Sequence, residues 1–233
     1  MKGIFVMPPY QHQFVCLASS KKPGGRCVAG KIWGGPSHGT WIRPVSHRQN
    51  DSISDDEIIC HNGEELKNLD VATVTYSGVQ NHAYQSENHV ISHPPAWQSG
   101  GRVGVGDLAP LEDHPDQLWE LGYRSTSGFN DRVHADELTA HRPTLYLIRP
   151  EGLSVRVSAE GAAWGEHDLR VRALFTYNGH RYELKVTDIP AERYFQQLGV
   201  GIHHPEGITY FTVSLGEIKP GTDYAYKLVA AIL

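Results

Sequence analysis

The chain contains no apolar run approaching the roughly 18 residues that a membrane-crossing helix needs, so no membrane partner is expected. Nor does it open on a secretory signal: Met1-Lys2-Gly3-Ile4-Phe5-Val6-Met7 is too short and is stopped by Pro8-Pro9. Cysteine is scarce, with three in 233 residues (Cys16, Cys27, Cys60), and none forms a C-x-x-C pair. That pattern predicts a reduced, cytoplasmic protein with buried thiols, no disulfide and no structural metal. Positive charge is in deficit, since 21 Lys and Arg face 26 Asp and Glu for a net −5. Bulk coating of nucleic acid by a basic surface is thereby excluded. A local basic groove is not, because a groove needs cations in one place and no overall excess. The 14 histidines add positive charge as pH falls toward about 6.5. Low-complexity sequence is absent. Gly101-Arg102-Val103-Gly104-Val105-Gly106 is glycine-rich, but no Lys-Ser/Thr follows it, so no nucleotide P-loop and no cofactor are expected.

What the chain does have is a meander from Phe14 to Ser46. Short strands are predicted at Gln13–Ala18, Arg26–Lys31 and Thr40–Val45, each bounded by Gly, Pro or Ser. The first turn is Ser19-Ser20-Lys21-Lys22-Pro23-Gly24-Gly25, and Arg26, Lys31, Trp33, Trp41 and Arg43 follow. Cations and tryptophans interleave here, as they do on surfaces that hold phosphates and stack bases. Solvated cations on a twisted sheet produce the same pattern.

Further along, Ser54 and Glu57 have capping-box spacing before a short helical turn through Ile58 and Ile59. Val71–Tyr76 reads as a strand and Gln85–Ser92 as a weaker one. From Trp97 to Arg142 no strand is visible; a brief helix is expected over Asp113–Leu121, ended by Gly122. So long an irregular stretch suggests a bridge between two lobes. Thr144–Arg149 and Leu153–Val157 read as one bent strand or a hairpin. Leu169–Tyr177 and His180–Thr187 flank Asn178-Gly179, the signature of a type I′ hairpin. A helix starts near Pro190 and runs over Ala191–Leu198, then strands follow at Thr209–Leu215 and Tyr224–Ile232.

Three strands, a helix and two strands is the connectivity of the OB fold, a five-stranded Greek-key barrel. The first lobe shows the same order more faintly. The expected fold is all-β with minor α: two OB-like five-stranded Greek-key barrels over 1–98 and 141–233, joined by an irregular, partly helical bridge over 99–140.

Several fragments together resemble the dual OB-containing domain family: GGRCVAGK (24–31), WIRPVS (41–46), QSENHVI (85–91), NDRV (130–133), YELKVTD (182–188), VSLGE (213–217) and YKLVAAI (226–232). The resemblance spans nearly the whole chain. It implies tandem OB folds that bind nucleic acid or nucleotides in prokaryotic defence systems, with no catalytic signature. No ATPase, nuclease or protease sequence accompanies it.

OB barrels bind across their second and third strands and the loops joining strands one to two and four to five. In the first lobe this selects Ser19, Ser20, Lys21, Lys22, Arg26, Lys31, Trp41 and Arg43, with the cations on phosphates and Trp41 as a stacking platform. In the second lobe the same strands carry Arg170, Arg172, Arg181, Tyr182 and Lys185, and the four-to-five loop Glu217–Asp223 carries Lys219. Of these, Arg170 and Arg172 read as the solvent side of a half-buried sheet, and Lys185 as a ligand contact. Asn130, Asp131 and Arg132 either orient a phosphate or ribose or tie the bridge to a barrel. Nucleic acid or a nucleotide is the expected partner, single strands or RNA being favoured over duplex, with a protein from the same system as a further one. Two alternatives stand beside this reading. One is an enzyme acting on a nucleotide or base with Cys27 or Asp131 and a histidine; the other is a protein–protein adaptor. Metal-ligand spacing is absent around Cys60-His61, His203-His204 and His89-x-x-x-His93.

Overall fold

The alternating patterns become strands, and the strands assemble into two units. A computed structural model describes residues 3–94, 97–139, 142–161 and 168–233; Met1 and Lys2, which figure in the sequence reading, lie outside them. The first unit comprises Met1–Leu111 with Thr139–Pro143, and the second Glu112–Leu138 with Thr144–Leu233. Residues 99–111 therefore go with the first barrel and 112–138 with the second.

In the first unit the strands are β1 (Gly3–Lys22), β2 (Gly25–Ile32), β3 (Trp41–Val45), β4 (Asp70–Asn81), β5 (Asn88–Ile91) and β6 (Trp97–Arg102). Hydrogen bonding runs β1-β2-β3-β5-β4, and β1 also pairs with β4, which closes a five-strand ring with β6 outside it on β4. Among the described ladders of this unit, β3 and β5 are the pair that runs parallel. This is the OB strand order. Closure depends on the length of β1, whose Val15 faces both Lys31 of β2 and Val71 of β4. A register shift between Cys16 and Ala18 bends it there. Inward residues include Phe14, Cys16, Val28, Ile42, Tyr76 and Trp97, all buried. The capping box forms, with Glu57 N–H donating to Ser54 Oγ (3.1 Å) and Ser54 N–H to Glu57 Oε2 (2.9 Å). It holds one turn and no helix, because Ile59 and Cys60 at once make bridges to Glu65 and Trp97.

The second unit contains β7 (Arg132–His134), β8 (Leu145–Ile148), β9 (Glu151–Ala159), β10 (Leu169–Tyr177), β11 (His180–Val186), α1 (Ile189–Leu198), β12 (Gly201–His203), β13 (Phe211–Ile218) and β14 (Tyr224–Ile232). Its sheet order is β12-β9-β10-β11-β14-β13-β8, with β11 and β14 parallel. The five strands β9-β10-β11-β14-β13 repeat the OB order, and α1 falls between the third and fourth as expected. Asp188 caps α1 by accepting from Ala191 N–H (3.0 Å), and Pro190 occupies its first turn. The hairpin at Asn178-Gly179 has positive φ at both residues (47° and 76°), as type I′ requires. No β9–β13 ladder closes this barrel among the described residues; β12 and β8 lie instead on those two edges.

Four sequence expectations change. Thr144–Arg149 and Leu153–Val157 form neither a bent strand nor a hairpin, because β8 pairs with β13 and β9 with β10 and β12. The stretch from Trp97 to Arg142 contains strands β6 and β7, whose partners are β4 and β14. Helix is absent over Asp113–Leu121. Asp113 lies extended beside Leu147, exchanging hydrogen bonds of 2.7 and 2.8 Å through its N–H and carboxylate, and Trp119 has φ of 55°. Closure by a ladder, expected over 141–233, is seen among the described residues in the first unit.

Gly30 marks the tightest point of the first barrel. A Cβ there would stand 2.0 Å from the Val15 carbonyl oxygen and 2.5 Å from the Phe14 ring. Gly30→Ala is therefore expected to cost about 2–3 kcal/mol of stability through forced backbone displacement, measured by urea unfolding; an unchanged midpoint contradicts the tight crossing.

Candidate nucleic-acid interface

The first-barrel candidates fall into distinct environments. Lys21 is exposed and Lys22 half-buried at the tip of the β1–β2 hairpin, where they pair with Arg26 and Gly25. Ser19 and Ser20 are buried. Arg26 is held by Asp55 (2.9 Å) and by Glu65. Lys31 is buried, its Nζ donating to the Leu111 carbonyl (2.7 Å) and lying 5.1 Å from the half-buried Trp41 ring. Arg43, 3% exposed, pairs with the equally enclosed Glu87 at 2.9 Å. Cations and indole thus interleave here largely through contacts internal to the barrel. Cys16, Cys27 and Cys60 carry free thiols, and burial pushes the Cys16 and Cys60 thiols up.

At one end of the same barrel, Tyr10, His12, Tyr76 and His89 form a mutually contacting ring cluster. Tyr10 Oη and His89 Nδ1 share a 2.7 Å hydrogen bond. Burial, with His12 alongside, pushes the His89 imidazole down to about 4.

The second barrel carries a cavity of about 440 Å³ on its outer face. Its floor is Arg170 and Arg172 of β10, Lys185 of β11, and Tyr226, Lys227 and Leu228 of β14. Alternation fixes this arrangement: Val171, Ala173, Leu184 and Val186 turn into the core, so Arg170, Arg172 and Lys185 turn out. Arg172 and Lys185 are register partners, as are Lys185 and Leu228. The walls are the 125–127 loop, Glu160 and Gly161 after β9, and Lys219 after β13. Lys219 Nζ lies 5.9 Å from the Tyr226 ring.

Asp131 organises one wall. It is 1% exposed and accepts from Ser125 N–H (2.7 Å) and Ser125 Oγ, with Arg172 Nη1 at 3.5 Å. Arg172 gives its other edge to Glu160 in a two-point bond of 2.7 and 3.0 Å. Asn130 accepts from Gly122 N–H (2.8 Å) and donates to the Arg181 carbonyl (2.9 Å), while Arg132 lies over the Tyr224 ring at 4.1 Å. Asn130, Asp131 and Arg132 therefore tie the 122–134 segment to the barrel. Lys227 Nζ bonds the Glu120 carbonyl, and burial pushes its ammonium down to about 7 against the opposing pull of Asp131. Among the described residues, no three His, Cys, Asp or Glu side chains converge as metal ligands would, and no helix is long and apolar enough to cross a membrane.

Sequence reasoning placed Lys185 and Asp131 among the site candidates, and the structure brings them together in this cavity. Arg170 and Arg172 had been set aside as solvated; the cavity surrounds them. Ser125, Thr126, Ser127 and Tyr226 had no local signal, since nothing in their own stretches says that a distant loop folds over β10.

Two Greek-key barrels with cations on an outer face define a tandem OB-fold protein. The sequence profile of the dual OB-containing domain matches residues 12–232, and the chain belongs to that family. No curated protein matches it in sequence. Among solved structures it is similar to one titled "Molecular basis for abrogation of activation of pro-inflammatory cytokines", with TM-score 0.34 and 9% identity over 97% of this chain and 90% of that one. Another is the "Crystal structure of the tetrameric p202 HIN2", with TM-score 0.31 and 10% identity over 100% of this chain and 97% of that one.

Removing Glu87 leaves the buried Arg43 guanidinium without its carboxylate, so Glu87→Ala should destabilise by about 3–5 kcal/mol, read by urea unfolding. A loss within experimental error rules out the structural pairing. The His89 imidazole, held down to about 4, is neutral when folded, whereas an unfolded histidine titrates near 6.5. The unfolded chain thus binds more protons in that window, and stability falls as pH drops through it, by roughly 2 kcal/mol. His89→Gln should flatten that part of the pH dependence; an unaltered profile refutes it.

Proposed function

We propose that this protein binds single-stranded nucleic acid or a nucleotide, chiefly through the outer face of the second barrel. The observation that carries the reading is a coincidence of place. The second and third strands and the one-to-two and four-to-five loops form the surface on which OB barrels take ligands. The cation-lined cavity lies on those elements in β10, β11, Glu160–Gly161 and Lys219. Arg170, Lys185 and Lys219 neutralise phosphate there, and Tyr226 offers a ring for stacking. Lys21 and Lys22 at the first barrel's hairpin tip add a peripheral phosphate contact. Among the described residues duplex reading by a major-groove helix is disfavoured, because α1 is ten residues long and carries Arg193 as its one cation. The resemblance to tandem OB folds of prokaryotic defence systems suggests such a setting, and the three cysteines without paired spacing suggest the cytoplasm.

Fluorescence titration with short single-stranded RNA and DNA at several salt concentrations tests this. Lys185→Ala and Lys219→Ala should each flatten the log–log salt dependence by roughly 0.7. Tyr226→Ala should weaken binding by about 1–3 kcal/mol with the slope unchanged, because stacking releases no counterions. Absence of binding at low salt, or variants indistinguishable from wild type, overturns the assignment.

A further inference from the structure

On an open OB face a strand crosses from one side of the sheet to the other. Here the far side is covered. Ser127 contributes its carbonyl to Arg156 Nη2 of β9 (2.7 Å), which places the 125–128 loop over β9 and β10. Gly128 lies so close that a Cβ would stand 2.0 Å from Asp131 Oδ2 and 2.8 Å from Arg172 Nη1. A chain entering over β14 and β11 therefore meets the 125–128 loop at Arg172. From this loop the segment 129–134 continues into the sheet, where Phe129 bridges to Glu183, β7 joins the edge of β14 and Lys227 N–H donates to the Asp131 carbonyl (2.9 Å).

The charge in the cavity points the same way. Arg170, Arg172, Lys185 and Lys219 line it together with Asp131 and Glu160. Asp168 meets Arg170 from outside that lining at 3.1 Å, so four cations stand against three carboxylates, buried Lys227 apart. A phosphodiester inside a strand carries one negative charge, whereas a terminal phosphate monoester carries about 1.5 to 2 at pH 7. The hydroxyls of Thr126 and Ser127 add polar lining beside these cations. A volume of about 440 Å³ is of the order that one small ligand occupies.

We infer that the cavity receives the end of a nucleotide chain and reads its terminal phosphate monoester, as opposed to holding the interior of a strand. The inference rests on the nucleic-acid reading above. A free nucleoside monophosphate and a phosphorylated strand end share the recognised chemistry. Arg172, clamped between Glu160 and Asp131, is a positioning residue that fixes the loop wall, while Lys185 and Lys219 meet the phosphate.

The test uses the full chain and one hexanucleotide sequence in four forms: 5′-phosphorylated, 3′-phosphorylated, hydroxyl at both ends, and circular. One phosphorylated form should bind about tenfold or more tightly than the hydroxyl form, as expected for roughly one extra charge-assisted contact. The circle should match the hydroxyl form. The Lys185→Ala/Lys219→Ala double variant, with an unchanged melting temperature, should lose the preference for phosphate. Competition by adenosine monophosphate but not adenosine supports the inference and shows that a free nucleotide suffices. Failure of both to compete, with the phosphorylated strand still preferred, supports it for strand ends. Equal affinity for all four forms overturns the terminal reading and leaves strand binding standing. If no form binds, both readings fall together.

Discussion

A carboxylate taken out of water must be paired, and in this protein the buried Asp131 meets that requirement in a way that shapes the whole outer face of the second barrel. Its oxygens are met by the Ser125 N–H and hydroxyl and by the Arg172 guanidinium. Those partners belong to a loop and a strand far apart in sequence, so satisfying one charge draws the loop down onto the sheet. Gly128 follows from the same constraint, since no side chain fits between the loop and the Asp131–Arg172 pair. With Glu160 holding the other edge of Arg172, two carboxylates and one guanidinium make a rigid corner. The outer face of β10 and β11 thereby becomes a cavity with that loop as one wall.

The first barrel shares the strand order and uses its cations differently. Lys31 bonds a backbone carbonyl, Arg43 a buried glutamate and Arg26 two carboxylates. Each of these cations is committed to holding chain against chain, and Trp41 stands beside Lys31 within the same packing. The lesson is physical: an amphipathic cation serves equally well as an internal tie and as a phosphate contact. Composition along a strand does not distinguish the two. What distinguishes them is whether another part of the chain covers the face. In the first barrel the segment ending in the 3-10 turn Val105–Leu111 brings the Leu111 carbonyl to Lys31; in the second, β10 and β11 keep an opening above Lys185.

Local hydrogen bonding and alternation were legible along the chain. The Asn178-Gly179 hairpin, the Asp188–Pro190 helix start, the Ser54–Glu57 capping box and the strands over 169–186 each follow from residues within a few positions of one another. Strand order followed too, because the OB connectivity leaves few alternatives once the helix is placed between the third and fourth strands. Determined by the tertiary structure alone was everything that depends on a distant partner. Thr144–Arg149 and Leu153–Val157 look like neighbours, yet β8 forms one edge of their sheet and β9 lies beside β12 at the other, since a strand's partner is chosen by the edge available to it. Trp97–Arg102 lacks β-branched residues, and it is a strand because β4 offers an edge to pair with. Asp113–Leu121 has a helical start signal, and the Leu147 backbone outcompetes it by offering Asp113 two hydrogen bonds. Arg170 and Arg172 of the second barrel read as solvated for the same reason: Asp131 stands 41 positions before Arg172, and only the folded chain brings that carboxylate, its loop and the sheet into one place.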